Sequence, residues 1–334
     1  MDAGLAADLE RVPTDVQDLE GRGYDGVLTA EVASDPFLPL TLAAEHSNRV
    51  ELRTSIAVAF ARNPMLLASV AHDLHRYSHG RFTLGLGSQI KPHIERRFSM
   101  PWSKPAARMR EMVLALHAIW DCWNEGAALD FEGEFYRHTL MTPFFSPEPT
   151  GFGAPKVAVA AVGPLMTEVA GEVADGLLVH GFATERSLRD ITMPALEKGL
   201  RSSGRSRADV EVVGPMFTVT GRSEEELARV AAATREQIAF YASTPAYRRV
   251  LELHGWGELQ TELRSLTKQD RWAEMGDLID DDILHAFAVV AEPDDVAREL
   301  LGRYGDLLDR ISFYTPGFDH RDLPAGTVAA LQAG

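Results

Sequence analysis

Two ionisable side chains follow segments that are typical of buried strands, and strand ends are where enzymes of alternating strand–helix folds carry out chemistry. Glu31 follows the segment 26–30, and His180 closes the segment 176–180. Histidine titrates near neutral pH without tuning, whereas a glutamate acts as an acid only when burial raises its pKa. Both are candidate catalytic residues, with His180 as the proton donor and Glu31 as the group that orients a bound molecule. A water molecule as the proton source, and a loop-anchoring role for each residue, are the alternatives.

Four basic side chains lie together after the segment Phe82–Leu86, in a chain whose formal net charge is −16. They are Lys91, His93, Arg96 and Arg97. Such a cluster at a strand end can bind phosphate or carboxylate groups, and a solvated helix face is the alternative.

The turn Val162-Gly163-Pro164 precedes a helical pattern and predicts a second anion site. The first backbone N–H groups of a helix, here those of Leu165 and Met166, have no partner within the helix and can bind phosphate. Gly85-Leu86-Gly87 lacks the third glycine of a dinucleotide-binding fingerprint, so we interpret it as a strand end that a ligand approaches closely.

His72, His75 and His79 share one face of a predicted helix and resemble metal ligands in spacing. We place that face opposite the apolar stripe of Leu67 and Leu74, on the outside of the helix. Because zinc sites need a fourth, converging ligand, we predict no metal site here. The single cysteine, Cys122, is interpreted as a core thiol.

The elements that position these residues begin with a strand–helix–strand unit over Arg53–Ser88. Its strand, Leu52–Ala59, is continuously apolar, as in parallel strands that are buried on both faces. Eight such strands are predicted, over residues 2–5, 26–30, 52–59, 82–86, 156–161, 176–180, 210–219 and 310–314. Eight strands with intervening helices predict an α/β fold, a (β/α)8 TIM barrel in one domain over residues 1–334. Inserts at 126–155 and 241–287 are either lids or surface excursions.

The composition excludes several classes of partner. The chain has 334 residues, of which 45% are hydrophobic, and its charge is 33 − 49 = −16. An acidic surface is a poor match for nucleic acid or an anionic membrane. No apolar run reaches the roughly 18 residues of a membrane span, and no secretory leader is visible. We expect a cytoplasmic protein that acts on a small molecule.

Five segments resemble the bacterial luciferase-like monooxygenase superfamily: YDGVLTAEV, ELRTSIAVAFARNP, SHGRFTLGLGS, AAVGPLMTEVAGEVADGLLVHG and AVVAEPDDVARELLGRYGDLLDRISFY. Within it they are most similar to the oxidoreductases that use coenzyme F420, a deazaflavin. The resemblance covers nearly the whole chain. It implies a TIM-type barrel, hydride transfer to or from the deazaflavin, and a homodimer.

The resemblance also implies roles for particular residues. Glu31 matches an acidic residue near the ring, Ser55 and Ile56 match a strand-three bulge that often contains a cis peptide, and Val58 matches a ring contact. Further cofactor-lining positions are Ser88, Gln89 and His93, and the phosphate-binding turn corresponds to Val162, Gly163, Leu165 and Met166. The sequence differs at two positions from the pattern of a sugar-phosphate dehydrogenase branch of the superfamily. Val32 replaces a histidine and Ile90 replaces a glutamate, so that branch's chemistry is not expected.

Three functions follow from the resemblance. The first is an F420-dependent oxidoreductase that acts on an unidentified small organic substrate. The second is an FMN-dependent monooxygenase on the same scaffold, and the third is a non-catalytic homologue that binds a flavin-like molecule or none.

Overall fold

The chain alternates strands and helices along its length, in a computed structural model that describes residues 1–6 and 8–333. The strands are β1 (Asp2–Gly4), β2 (Gly26–Thr29), β3 (Glu51–Thr54), β4 (Ala57–Val58), β5 (Phe82–Gly87), β6 (Phe131–Glu132), β7 (Arg137–His138), β8 (Lys156–Ala161), β9 (Gly176–Val179), β10 (Glu211–Val219), β11 (Ala288–Val290) and β12 (Arg310–Tyr314). The helices are α1 (Val12–Gly21), α2 (Phe37–Glu45), α3 (Pro64–Tyr77), α4 (Pro105–Glu125), α5 (Pro164–Val173), α6 (Glu185–Ser187), α7 (Met193–Ser203), α8 (Glu224–Ala242), α9 (Arg248–Leu253), α10 (Gly257–Thr267), α11 (Asp281–Phe287), α12 (Val296–Tyr304) and α13 (Thr327–Ala333).

The chain divides into two compact units, each with its own strands. The first unit comprises Asp2–Leu178 and Ala195–Glu211, and the second comprises Met1, Val179–Pro194 and Val212–Gly334. Strands of the first unit follow the order β1-β2-β3-β5-β8-β9, with β4 beside β5, and those of the second follow β11-β10-β12. All eight predicted strands are present as β1, β2, β3, β5, β8, β9, β10 and β12, and the fold is the predicted (β/α)8 barrel.

The predicted third strand is shorter than its apolar run suggests. β3 ends at Thr54, β4 covers only Ala57–Val58, and a 3-10 turn follows over Ala59–Ala61. The side chain of Thr54 bonds to both the N–H and the C=O of Gly85, at 2.9 and 2.8 Å, and so fixes the end of β3 to the neighbouring strand. Hydrophobicity predicts burial of this segment correctly but does not reveal the bend.

The short strand β11 was not predicted from the sequence, and neither were β6 and β7. Strand β11 runs parallel to the end of β10, with Phe217 opposite Ala288 and Val219 opposite Val290. Three residues are too few to produce a periodic pattern, so a strand of this length is not visible in the sequence.

The prediction that the histidine face of α3 points outward is wrong for His72 and His75. His72 and His75 are buried, whereas His79 is exposed. Helix α4 covers this side of α3: the indole N–H of Trp120 donates to the carbonyl of Ala68 at 3.2 Å, and the ring of Trp123 meets His72 edge-on at 5.3 Å. A helix packed on two sides has a wider buried face than one apolar stripe indicates.

Cys122 also differs from its prediction, because it is a free thiol that is only partly buried. Its neighbours Trp120 and Trp123 occupy the buried face of α4, together with Met109, Met112, Val113, Leu116 and Ile119. Cys122 lies at the edge of that face.

The two inserts differ in what they contact. The insert at 126–155 contains the β6–β7 hairpin, and Glu111 of α4 accepts hydrogen bonds from the backbone N–H groups of residues 134, 135 and 136. Further along, the carbonyl of Glu148 bonds to His72 of α3 at 3.0 Å. This insert is therefore tied to two helices of the first unit. The insert at 241–287 forms α9, α10 and α11 in the second unit.

None of the helices in residues 1–6 and 8–333 combines the length and the apolar character that a bilayer-spanning segment requires.

We predict that Gly85→Ala lowers the free energy of unfolding by at least about 2 kcal/mol, because a Cβ there has no space. It would lie 1.8 Å from the carbonyl oxygen of Thr54. Urea unfolding followed by circular dichroism measures the change. Gly21→Ala at the end of α1 is the matched control, since its Cβ would meet nothing within 4 Å. An equal loss in both variants would contradict the prediction.

Candidate active site

The carboxylate of Glu31 joins the ends of two neighbouring strands in the first unit. Its Oε2 accepts a hydrogen bond of 2.7 Å from the backbone N–H of Val58 and one of 2.5 Å from Nη1 of Arg62. The backbone N–H of Glu31 donates to the carbonyl of Ile56 at 3.0 Å. Only 9% of the Glu31 side chain is exposed. These contacts give Glu31 the loop-anchoring role, and a contact with a cofactor or substrate stays a prediction.

The peptide bond between Ser55 and Ile56 is cis, as the resemblance implied. Ile56 packs directly over Gly87, where a Cβ would come within 2.7 Å of the Ile56 side chain. Val58 is fully buried beside them. The residues after β3 thus form an apolar surface, held by Glu31, at the carboxyl ends of β3 and β5.

The residues after β5 form an exposed, positively charged segment. Ser88 and Gln89 are partly buried, with Gln89 at φ +57°, and the four basic side chains that follow are exposed. Lys91 pairs with Glu95 at 3.8 Å, and Nη2 of Arg97 donates to the carbonyl of Val32 at 2.5 Å. Among the described residues, neither His93 nor Arg96 has a carboxylate partner. These two groups can accept an anion without giving up an ion pair.

The turn after β8 leads into α5 without a side-chain cap. Gly163 is the N-cap residue, with extended backbone angles φ −109° and ψ 158°. The N–H of Met166 donates to the carbonyl of Gly163 at 3.2 Å, so it is less available than predicted. The N–H of Leu165 has no acceptor within the described residues. Because β8 pairs with β5, with Leu86 opposite Val159, this turn and the basic segment follow neighbouring strand ends.

His180 lies in the second unit, directly after β9, and its ring is held at both nitrogens. Nδ1 accepts a hydrogen bond of 3.0 Å from the N–H of Phe182, and Nε2 lies 3.1 Å from the hydroxyl of Tyr247. Burial lowers the pKa of His180 to about 4. The expectation that His180 titrates near neutral pH is therefore wrong, because desolvation penalises the imidazolium.

Three tyrosines around His180 were missed by the sequence analysis. The rings of Tyr241 and Tyr247 lie 4.7 and 4.8 Å from the His180 ring, and the hydroxyls of Tyr241 and Tyr314 lie 2.7 Å apart. Tyr314 could have been identified from the sequence as a candidate site residue, because it is the last residue of the predicted eighth strand. Tyr241 and Tyr247 begin the second insert, and no periodicity connects them with His180.

The structure thus brings together the predicted residues of the first unit in two places. Glu31, Ile56 and Val58 are in direct contact, and the segments after β5 and β8 follow paired strands. No group of three or more potential metal ligands occurs in the part of the chain that the structure describes.

We expect His180 to contribute a pH-dependent term to stability. Its folded-state pKa of about 4 lies below the ordinary value of 6.5, so the neutral ring stabilises the fold fully above pH 6.5. That stabilisation is lost as the pH falls from 6.5 towards 4. In urea unfolding, the free energy of unfolding of the wild-type chain should fall relative to that of His180→Gln as the pH is lowered from 6.5 to 4. A difference that does not change with pH would contradict the assignment.

Comparison with known proteins gives a family and a fold. The model of the luciferase-like monooxygenase family matches residues 2–310. A Mycobacterium tuberculosis protein, "Uncharacterized protein Rv1360", is 54% identical over 311 residues, which are 93% of this chain and 92% of that protein.

Two solved structures share the fold over almost the whole chain. The coenzyme F420 dependent tetrahydromethanopterin reductase from Methanopyrus kandleri has a TM-score of 0.80 and 20% identity, covering 99% of this chain and 96% of that one. The oxygenating constituent of 3,6-diketocamphane monooxygenase from Pseudomonas putida, in complex with FMN, has a TM-score of 0.67 and 16% identity, covering 98% and 92%. The predicted superfamily and fold are confirmed: this chain belongs to the luciferase-like monooxygenase family.

Proposed function

We propose that this protein is an oxidoreductase that transfers a hydride between coenzyme F420 and a small organic substrate. The observation that carries the proposal is the uncapped amino terminus of α5, which follows a barrel strand and neighbours an exposed basic segment. Membership of the luciferase-like family supports an oxidoreductase, and the likeness to the F420 dependent reductase favours this cofactor.

The turn after β8 fits a phosphate group. A Cβ built on Gly163 would meet nothing within 4 Å, and Val162 and Leu165 are exposed on either side. The N–H of Leu165 and the positive end of the α5 dipole favour an anion in this space. Val162, Gly163, Leu165 and Met166 would hold the phosphate of the cofactor.

The apolar surface after β3 fits a flat ring. Ile56 lies against Gly87, a position that excludes any side chain, and Glu31 fixes the backbone of Val58. Ser55, Ile56 and Val58 would support the ring, with Ser88 and Gln89 beside it. When bound, F420 supplies the hydride-transferring centre, and the protein supplies binding and orientation.

The basic segment would bind the acidic tail of F420. His93 and Arg96 are exposed and free of carboxylate partners within the described residues, and they lie in a chain of net charge −16. This local reversal of charge favours F420 over FMN, which lacks such a tail. An FMN-dependent monooxygenase is the second candidate, supported by the shared fold of the FMN-bound monooxygenase.

Titration of F420 into the purified protein, followed by the visible absorption of the cofactor, tests the proposal. Gly163→Asp should weaken binding at least about tenfold, because a carboxylate would meet the phosphate. Aspartate and asparagine are both good N-cap residues, so the fold should tolerate each. Gly163→Asn is thus the matched control, with the same shape and no charge.

Equal affinity of Gly163→Asp and Gly163→Asn would place the phosphate elsewhere. Binding of FMN in preference to F420 would favour the monooxygenase. Failure to bind either cofactor would favour a homologue without this catalytic function.

We predict that F420 binding weakens as salt concentration rises, because exposed charges are screened. Arg96→Gln should weaken binding and reduce this salt dependence. Arg76→Gln removes the same charge from the last turn of α3, which precedes β5 and is therefore remote from the carboxyl end of that strand. The two variants should differ in affinity at low salt, and an identical effect would argue against a specific role for the basic segment.

A further inference from the structure

A cluster of aromatic side chains surrounds His180 in the second unit, and it consists of His180, Tyr241, Tyr247 and Tyr314. All four side chains are partly exposed. His180 directly follows β9 and Tyr314 ends β12, so both lie at carboxyl ends of strands. This His180 cluster has hydrogen-bond donors that its internal contacts do not use.

The hydrogen bonds of His180 determine which nitrogen carries the proton. The N–H of Phe182 can only donate, so Nδ1 accepts this bond of 3.0 Å and carries no hydrogen. A neutral imidazole then carries its proton on Nε2, which faces the hydroxyl oxygen of Tyr247 at 3.1 Å. His180 therefore donates to Tyr247 and does not present its N–H to a ligand.

Tyr247 is left with an unused hydrogen. Its oxygen accepts the bond from His180, and its own O–H has no acceptor among the residues that the structure describes. Burial raises the pKa of Tyr247, so the hydroxyl keeps its proton at neutral pH. In the neighbouring pair of Tyr241 and Tyr314, whose oxygens are 2.7 Å apart, one hydroxyl donates to the other, which leaves a second unused O–H.

The neighbours of the cluster are also aromatic. Phe217 stacks on Tyr314 at 4.4 Å with an interplanar angle of 14°, and Phe182 lies 5.3 Å from Tyr247. No charged group is bonded to these tyrosines among the described residues. Neutral donors beside ring faces suit an uncharged oxygen acceptor on a planar molecule, since an ionised carboxylate would lack a counter-charge.

We propose that the His180 cluster binds a planar, uncharged carbonyl compound, with Tyr247 donating a hydrogen bond to the carbonyl oxygen. His180 is a positioning residue that orients the Tyr247 hydroxyl. The inference rests on the proposed function only in taking this bound compound as the substrate.

Acetophenone, labelled with 13C at its carbonyl, serves as the probe. A hydrogen bond lowers the carbonyl stretching frequency, which infrared difference spectroscopy measures on the bound molecule. We expect the carbonyl band to move to a higher frequency in Tyr247→Phe, because this hydrogen bond is lost. Binding should weaken about tenfold, which corresponds to one hydrogen bond. His180→Gln should broaden the band, because the hydroxyl is no longer oriented. Tyr77→Phe, in α3 of the first unit, is the control and should change neither quantity.

F420 titration of the same variants separates this inference from the proposed function. Wild-type protein that binds F420, with an acetophenone spectrum identical in Tyr247→Phe, would overturn the inference alone. Failure of acetophenone to bind would overturn it as well. Protein that does not bind F420 but shows the Tyr247-dependent shift would contradict the proposed function and support the carbonyl site.

Discussion

The hydrogen bond between the carboxylate of Glu31 and the backbone N–H of Val58 is the contact on which the strand ends around β3 in the first unit depend. It joins β4, the short strand that follows β3 and pairs with β5, to the segment that follows β2. Arg62 neutralises the same carboxylate and also reaches Asp35 at 3.2 Å. Because Glu31 is 91% buried at its side chain, losing either partner would leave a largely desolvated charge. Glu31, which the sequence indicates as a candidate catalytic residue, therefore has the structural role of fixing the backbone around Val58.

The close packing of strand ends has the same consequence elsewhere in this unit. Gly85 and Gly87 lie where a side chain would strike Thr54 and Ile56, respectively. The glycines allow neighbouring strand ends to approach each other closely.

The second unit obtains its polar chemistry from neutral groups. His180 and three tyrosines share hydrogen bonds in aromatic surroundings, where burial disfavours every charged form. A histidine in this environment acts as a fixed donor to its neighbour and holds no second proton to release near neutral pH. The sequence predicted His180 as the proton donor. In the structure, Tyr247 has the available hydrogen and His180 orients the Tyr247 hydroxyl.

The sequence by itself determined the fold class and most strand positions, because continuous apolar runs and helical stripes are local patterns that burial alone explains. It also placed Glu31, His180 and the turn at Gly163 correctly at strand ends. Only the tertiary structure decided what these side chains contact. The pKa of His180 depends on burial by Tyr241 and Tyr247, which are more than 60 residues away along the chain. The inward orientation of His72 depends on α4 packing over α3. Contacts between residues distant in the chain leave no periodic signal in the sequence. The protonation and hydrogen bonding of each group could therefore be assigned only from its neighbours in the structure.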